Sequence, residues 1–389
     1  MKHQDEYRDP GLARLQLQAI SEAISGFDRN MVLMEVCGTH TMAIYQNGIR
    51  ALLPEQIRLI SGPGCPVCVT PVGYIDRAVA LARRSDTIIA TFGDMVRVPG
   101  SSTSLLHEQA RGATIKIVYS PLDAVTLAEN NPASDVVFLG VGFETTTPTI
   151  AGAILTAEKK HLKNFFVLCA HKSMPEPMTA LAVDPDLQVD GYLCPAHVSV
   201  IIGANAYQPL VDRFRVPCVI TGFEPLDVLQ GVLMLARQVV AGEARVETQY
   251  RRAVKPDGNQ RAREILYRVF ESCDAQWRGL GDIPDSGLRL REEYSRYDAE
   301  RALPVMVEPA VEHKGCLCGE ILKGKLRPVD CPLFRTTCTP EDPVGACMVS
   351  SEGTCAAEYK YGDWGLGAGR RSLPDSSPQP PVPGPQPPE

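Results

Sequence analysis

Six cysteines crowd the last quarter of this chain: Cys316, Cys318, Cys331, Cys338, Cys347 and Cys355. A Cys-Pro-Val-Cys pair, Cys65 and Cys68, lies far upstream, and Cys37 lies earlier still, in C-G-T-H-T. Thiolates bind soft metals and exchange electrons. The chain is therefore equipped for iron–sulfur or thiol-redox chemistry rather than for ordinary hydrolysis.

The late set reads C-x-C-x12-C-x6-C-x8-C-x7-C. A 4Fe–4S cluster needs four thiolates, which leaves two sulfurs for a disulfide. Structural zinc sites usually show paired C-x2–4-C knuckles, and this spacing is irregular, which favours a cluster. The C-x3-C-x2-C triplet of radical enzymes is absent. The earlier pair sits in G-P-G-C-P-V-C-V-T-P, residues 62–71. Two sulfurs at that spacing form a small-ring disulfide or share one metal. Thr70 reads as the cap and Pro71 as the first residue of the next helix, whose dipole favours a thiolate. In C-G-T-H-T, Cys37 and His40 are spaced to reach one metal, or His40 to lower the Cys37 pKa. The plainer alternative is a small buried Cys beside a helix-capping Thr.

Further polar residues fall just after apolar runs: Asp94 in F-G-D-M, Glu144 in G-F-E-T-T, His171 in A-H-K-S-M, His197 in P-A-H-V-S and Glu224 in G-F-E-P. They are candidate acids, bases or supporting partners. Each alone reads as a cap or a satisfied polar group; five at sheet edges weaken that reading. Cys169, Cys194, Cys218 and Cys273 read as packing residues. No Walker or dinucleotide fingerprint is present, so a nucleotide site is not expected.

These residues need elements to position them. Residues 11–25 carry apolar side chains at helical spacing. From there to about residue 235, a short Val/Ile-rich run, a polar loop and a helix-like stretch alternate. Eight runs begin at residues 31, 57, 87, 115, 136, 165, 191 and 218. Most do not alternate with polar residues, as strands buried on both faces of a parallel sheet do not. The fold class is α/β, with two open parallel-sheet domains and a seam at residues 122–131. Gly142-Phe143-Glu144 and Gly222-Phe223-Glu224 hint at an internal repeat. Residues 261–271 read as a charged helix. The segment 315–355, rich in Gly, Pro and Cys, needs a metal or disulfides to hold its shape. Residues 372–389 are Pro- and Ser-rich and read as disordered. The division is an N-terminal helix over 1–28, α/β units over 29–121 and 122–235, a cluster domain over 236–370 and a tail over 371–389.

The chain has 389 residues, 13 cysteines and a net charge of −7. That charge argues against a nucleic-acid surface. No signal peptide and no apolar run of about 20 residues is visible, so a cytoplasmic protein without a membrane span is expected. Disulfides are rare there, and clustered cysteines point to metal or catalysis.

Taken together, CGTHT, GPGCPVCVTP, GFETT, PAHVS, GFEP and PVGACMVSSEGTCAAEYKYG resemble the HypD family of NiFe-hydrogenase maturation factors, over about residues 12–365. The resemblance implies two similar α/β domains and a third domain with a 4Fe–4S cluster. It implies a scaffold, shared with a HypC-type chaperone, for assembling the Fe(CN)2CO group. Cyanide would come from a HypE-type donor, itself supplied by HypF. By the family motif, Cys37 helps hold the iron, and Cys65 and Cys68 are a redox-active pair beside it. Cys316, Cys331, Cys338 and Cys355 would ligate the cluster, and Cys318 and Cys347 would form a second redox pair. Glu144, His40 and His197 would orient ligands or move protons. Two positions depart from the family pattern: Arg335 stands where a Gly is expected, and Glu358 where an aromatic is commoner. The alternative function is an iron–sulfur thiol-disulfide reductase of a protein substrate.

Overall fold

The computed structural model describes residues 5–362. The tail read as disordered lies outside the described residues. Nine parallel strands form two sheets. They are β1 (Met31–Glu35), β2 (Ile57–Ser61), β3 (Thr87–Thr91), β4 (Thr114–Ile117), β5 (Asp135–Gly140), β6 (Phe165–Cys169), β7 (Gly191–Pro195), β8 (Cys218–Thr221) and β9 (Val246–Thr248). An antiparallel hairpin, β10 (Phe270–Trp277) and β11 (Gly281–Leu290), follows. The eight runs of the sequence are all strands. Their continuous apolar character has the expected cause, since β3 and β8 are buried along their whole lengths.

The larger sheet has the order β2-β1-β7-β8-β9 and the smaller β4-β3-β5-β6. Each begins with the same pattern: a strand, its predecessor in the chain, then later strands outward. Chain connectivity therefore corrects the contiguous division at residues 121/122. Strands β3 and β4 pair with β5 and β6, while β7, β8 and β9 return to β1. The smaller sheet is an insertion within the larger one. The supposed seam lies in the helix Pro121–Asn130, whose Ser120–Asp123 capping box starts it inside the smaller unit. Local periodicity identifies strands but carries no information about which strands pair. The repeat is one of topology, and the Gly-Phe-Glu echo is not its register: Glu144 follows the third strand of its sheet, Glu224 the fourth.

The cluster segment is also shorter than 236–370. The helix Pro225–Val240 and β9 belong to the larger sheet's layer, and Leu229, Val232 and Ala236 of that helix pack with Ile20 and Ile24 of the N-terminal region. Residues 260–269 form the expected helix, Gln260–Val269. The hairpin after it was not anticipated, because its polar alternation hides between two buried ends, Phe270 and Trp277.

Two local details also differ. Pro71, not Thr70, caps the helix Val72–Ala82, and Thr70 Oγ1 instead donates to Pro66 O at 2.8 Å. Arg335 has φ +60°, the left-handed region, which accounts for the Gly expected there. That conformation costs a residue with a Cβ about 1–2 kcal/mol. Arg335 also places its guanidinium 5.4 Å from the Tyr359 ring. Arg335→Gly is expected to raise stability by about 1 kcal/mol in denaturant unfolding. A fall would mean that the contact with Tyr359 outweighs the strain.

Candidate functional site

In an open parallel sheet, ligands bind at the carboxyl ends of the strands where strand order reverses. In the larger sheet that point lies between β1 and β7. The loop after β1 carries Cys37, and the helix after β7, Ala196–Ile202, carries His197. Cys37 Sγ and His197 Nδ1 are 4.0 Å apart.

Cys37 caps the helix Gly38–Gln46. The amides of Thr39 and His40 favour its thiolate, but burial dominates and holds the thiol well above its ordinary pKa, with Glu352 and Glu35 adding to the rise. His40 does not face that sulfur. Its Nε2 lies 2.9 Å from Gly222 O and 2.8 Å from Thr221 Oγ1, while Nδ1 is buried without a hydrogen-bond partner among the described residues. Phe223 stands between the two imidazoles, 4.8 Å from His40 and 5.1 Å from His197. Burial lowers both histidines to about 4, so both are neutral near pH 7.

The residues beneath Cys37 were missed in the sequence. Glu35, fully buried in β1, accepts from Cys37 N at 3.3 Å and from Thr41 Oγ1 at 2.6 Å. Burial raises its carboxyl to about 7. Its signal was visible: a lone charge inside an apolar strand. Glu352 accepts from Thr39 Oγ1 at 2.7 Å and so ties the late segment to the Cys37 loop; nothing in its local sequence marks it.

The Cys65 loop is pressed onto the same place. Gly38 N donates to Gly64 O at 3.0 Å, and a Cβ on Gly64 would lie 2.1 Å from Cys37 N. Cys65 caps the short helix Pro66–Val69 and its sulfur accepts from Cys68 N at 3.3 Å. Burial first, then the neighbouring sulfurs of Cys347 and Cys65, push the Cys68 thiol up.

Cys68 leads to the late cysteines. Cys347, in the helix Ala346–Val349, is held well below the ordinary thiol pKa by side-chain hydrogen bonds from Cys318, Cys355 and Cys68. Hydrogen bonding to Cys318, and then burial, raises Cys316. A Cβ at Gly345 would lie 2.4 Å from Cys318 Sγ and 2.8 Å from Cys316 Sγ. Cys316, Cys318, Cys331, Cys338 and Cys355 line one cavity, closed by apolar Ile321, Leu333, Phe334 and Met348. Cys347 is outside it, on the Cys68 side. Among the described residues no three His, Cys, Asp or Glu side chains converge as they would around a single ion.

The other candidates lie elsewhere. Glu144 accepts from Met174 N at 2.9 Å, its second oxygen has no hydrogen-bond partner among the described residues, and burial lifts it to about 7. None of its partners is Cys37, His40 or His197. Asp94 is half-buried, and Glu224 pairs with Arg8 at 2.6 Å. His171 Nδ1 lies 3.1 Å from Cys169 Sγ, so Cys169 has a polar neighbour rather than a purely packing role. Cys194 and Cys218 are buried against each other on adjacent strands.

The fold and the site define a class: α/β proteins whose sheet-edge cysteine is joined through a Cys-x-x-Cys loop to a Cys-rich terminal segment. The family model HypD, described as the hydrogenase formation hypA family, matches residues 12–362. The chain is 49% identical over 369 residues to the hydrogenase maturation factor HypD of Azotobacter vinelandii, covering 93% of this chain and 97% of that one. It is 45% identical over 366 residues to the HypD of Escherichia coli strain K12, covering 93% and 98%. This chain belongs to the HypD family.

Two outcomes are expected here. Gly64→Ala forces backbone apart and should cost about 1–3 kcal/mol in denaturant unfolding, whereas Gly152→Ala, in an open helical position, should be neutral or stabilising. Stability unchanged by Gly64→Ala would show that the two loops are not in contact. Glu144 holds its proton up to about pH 7 when folded and only to about its ordinary 4.5 when unfolded. Its contribution is therefore complete below pH 4.5 and is lost as pH rises through 7. Glu144→Gln does not titrate, so its stability relative to the parent should climb across that window, by at most about 3 kcal/mol, and level off above it. A flat difference from pH 4.5 to 8 would contradict the burial of a titrating carboxyl.

Proposed function

We propose that this chain is a hydrogenase maturation factor that holds iron, together with a HypC-type chaperone, while cyanide and carbon monoxide ligands are attached to it. A HypE-type protein would donate the cyanide. The relatives' names support the maturation role. The observation that carries the site reading is that the Cys65–Cys68 loop packs its backbone on Cys37, while Cys68 neighbours Cys347 and Cys347 neighbours Cys318 and Cys355.

Cys37 offers the iron one sulfur. Its thiol must lose a proton to bind metal. His197, kept neutral by burial and 4.0 Å away, is placed to accept that proton at Nδ1 when Nε2 carries the ring hydrogen. His40 closes the floor of the cleft through Gly222 and Thr221. Cys65 and Cys68 are the dithiol beside the iron and give up two electrons and two protons on closing to a disulfide.

Cys347 is the natural attacker of that disulfide, because its neighbours favour its thiolate. Attack on Cys68 forms a Cys68–Cys347 bond and releases the Cys65 thiolate. Attack by Cys318 on Cys347 then frees Cys68 and leaves a Cys318–Cys347 disulfide. Two electrons have moved toward Cys65 and Cys68. The cavity beyond, with sulfur donors and apolar walls, fits a 4Fe–4S cluster on Cys316, Cys331, Cys338 and Cys355, which supplies electrons singly when bound.

The test is infrared spectroscopy of the anaerobic complex with its HypC-type partner. The parent should show cyanide and carbon monoxide stretching bands and iron beyond the cluster's complement, and Cys37→Ala should lose both. Bands unchanged in Cys37→Ala would remove Cys37 from the iron, and cluster iron alone in the parent would favour the thiol-disulfide reductase.

A further inference from the structure

The floor of the cleft is held from behind by a buried carboxylate. Asp227, in the first turn of the helix Pro225–Val240, is fully buried. Its Oδ1 accepts from Gln249 Nε2 at 2.7 Å and from Arg252 Nη1 at 3.2 Å, and its Oδ2 accepts from Arg252 Nη2 at 2.8 Å. The guanidinium lies 3.7 Å from the centre of the Tyr250 ring. A helix start and an ion pair explain why a carboxylate is tolerated there. They do not explain why Gln249 turns its other end to the loop after β8. Gln249 Oε1 accepts from Gly222 N at 3.2 Å, and Gln249 N donates to Ile220 O at 2.8 Å. A Cβ on Gly222 would collide with the Asp227 carboxylate, so the backbone is free to press against it only as glycine.

The carbonyl of the same glycine meets His40. Gly222 O can only accept, and the neutral imidazole has one N–H, so the 2.9 Å contact assigns that hydrogen to Nε2. Thr221 Oγ1, at 2.8 Å, shares it. Phe223, next in the chain, carries the ring that stands between His40 and His197. Contacts therefore run from Asp227 through Gln249 and Gly222 to both imidazoles, and from His197 to Cys37.

We propose that Asp227 and Gln249 are positioning residues of the iron cleft: they fix the Gly222 backbone, and through it the tautomer of His40 and the seat of Phe223 between the two imidazoles. This rests on the reading that Cys37 holds the iron. Partners one layer behind a metal site orient the groups that line it, and their loss typically costs about 10–100-fold in metal affinity or activity. Neither residue touches the iron or its ligands; both act through Gly222.

The experiment uses the full chain with nitrogen-15 in its histidines, alone and in the anaerobic complex with the HypC-type partner. Long-range nitrogen–proton correlation reads the tautomer of each ring, and His40→Gln assigns the His40 signal. The parent should show His40 with its hydrogen on Nε2 alone. Gln249→Met removes both side-chain bonds at a half-buried position. It should give mixed tautomers at His40, leave His171 unchanged, and lower the infrared bands of iron-bound cyanide and carbon monoxide about tenfold. Asp227→Asn, which turns an amide toward Arg252, is read in the same way if Gln249→Met does not fold. Combining Asp227→Asn with Gln249→Glu exchanges carboxylate and amide and should restore the single tautomer. A His40 tautomer unmoved in the single variants would overturn the clamp, whatever the iron does. Mixed tautomers with parental bands would overturn its service to the cleft. A parent complex without bands would overturn the iron reading, and this role with it.

Discussion

The backbones of Gly64 and Cys37 lie too close for any side chain to stand between them. Everything that makes this protein chemically unusual depends on that contact. It seats the Cys65–Cys68 loop on the carboxyl edge of the larger sheet, where strand order reverses. It sets Cys68 within reach of Cys347, and Cys347 within reach of the terminal cavity. Glu352, bonded to Thr39, closes the circuit from the other side. Sulfurs from three distant parts of the chain become one neighbourhood because two loops share a backbone interface.

Burial then decides the protonation of that neighbourhood. It keeps Cys37 a thiol and both His40 and His197 neutral, and it raises the carboxyl of Glu35 to about 7. The charge left beside Cys37 is carboxylate, on Glu352 and in part on Glu35. Cys347 is the exception, because three neighbouring thiols can donate to it. The arrangement separates a Cys37 thiol held above its ordinary pKa from a Cys347 thiol held below it.

Much of this was readable in the residues. Eight of the nine parallel strands were visible as short apolar runs, most of them buried on both faces; β4 is largely exposed, and the three-residue β9 escaped notice. The cysteine motifs and His197 were visible by type and position. Pairing was not: β7 follows β6 in the chain yet lies against β1, and only tertiary contact reveals it. For the same reason His197, rather than the sequence-adjacent His40, proves to be the imidazole facing Cys37. Glu352 and Phe223 acquire meaning only from what they meet far away in the chain, at Thr39 and His40. Arg335 is the converse case, where a family expectation of glycine anticipated a left-handed backbone.

The insertion of one sheet inside the other also orders events at the ribosome. Strands β3 to β6 are contiguous in the chain, so their unit can close as soon as it emerges. The larger sheet cannot, because β1 must wait for β7, more than a hundred residues later. Cys37 consequently has no finished cleft until about half the chain has been made, when β7 and His197 emerge. The terminal cysteines arrive later still, so the neighbourhood of Cys68 and Cys347 is completed only as translation ends.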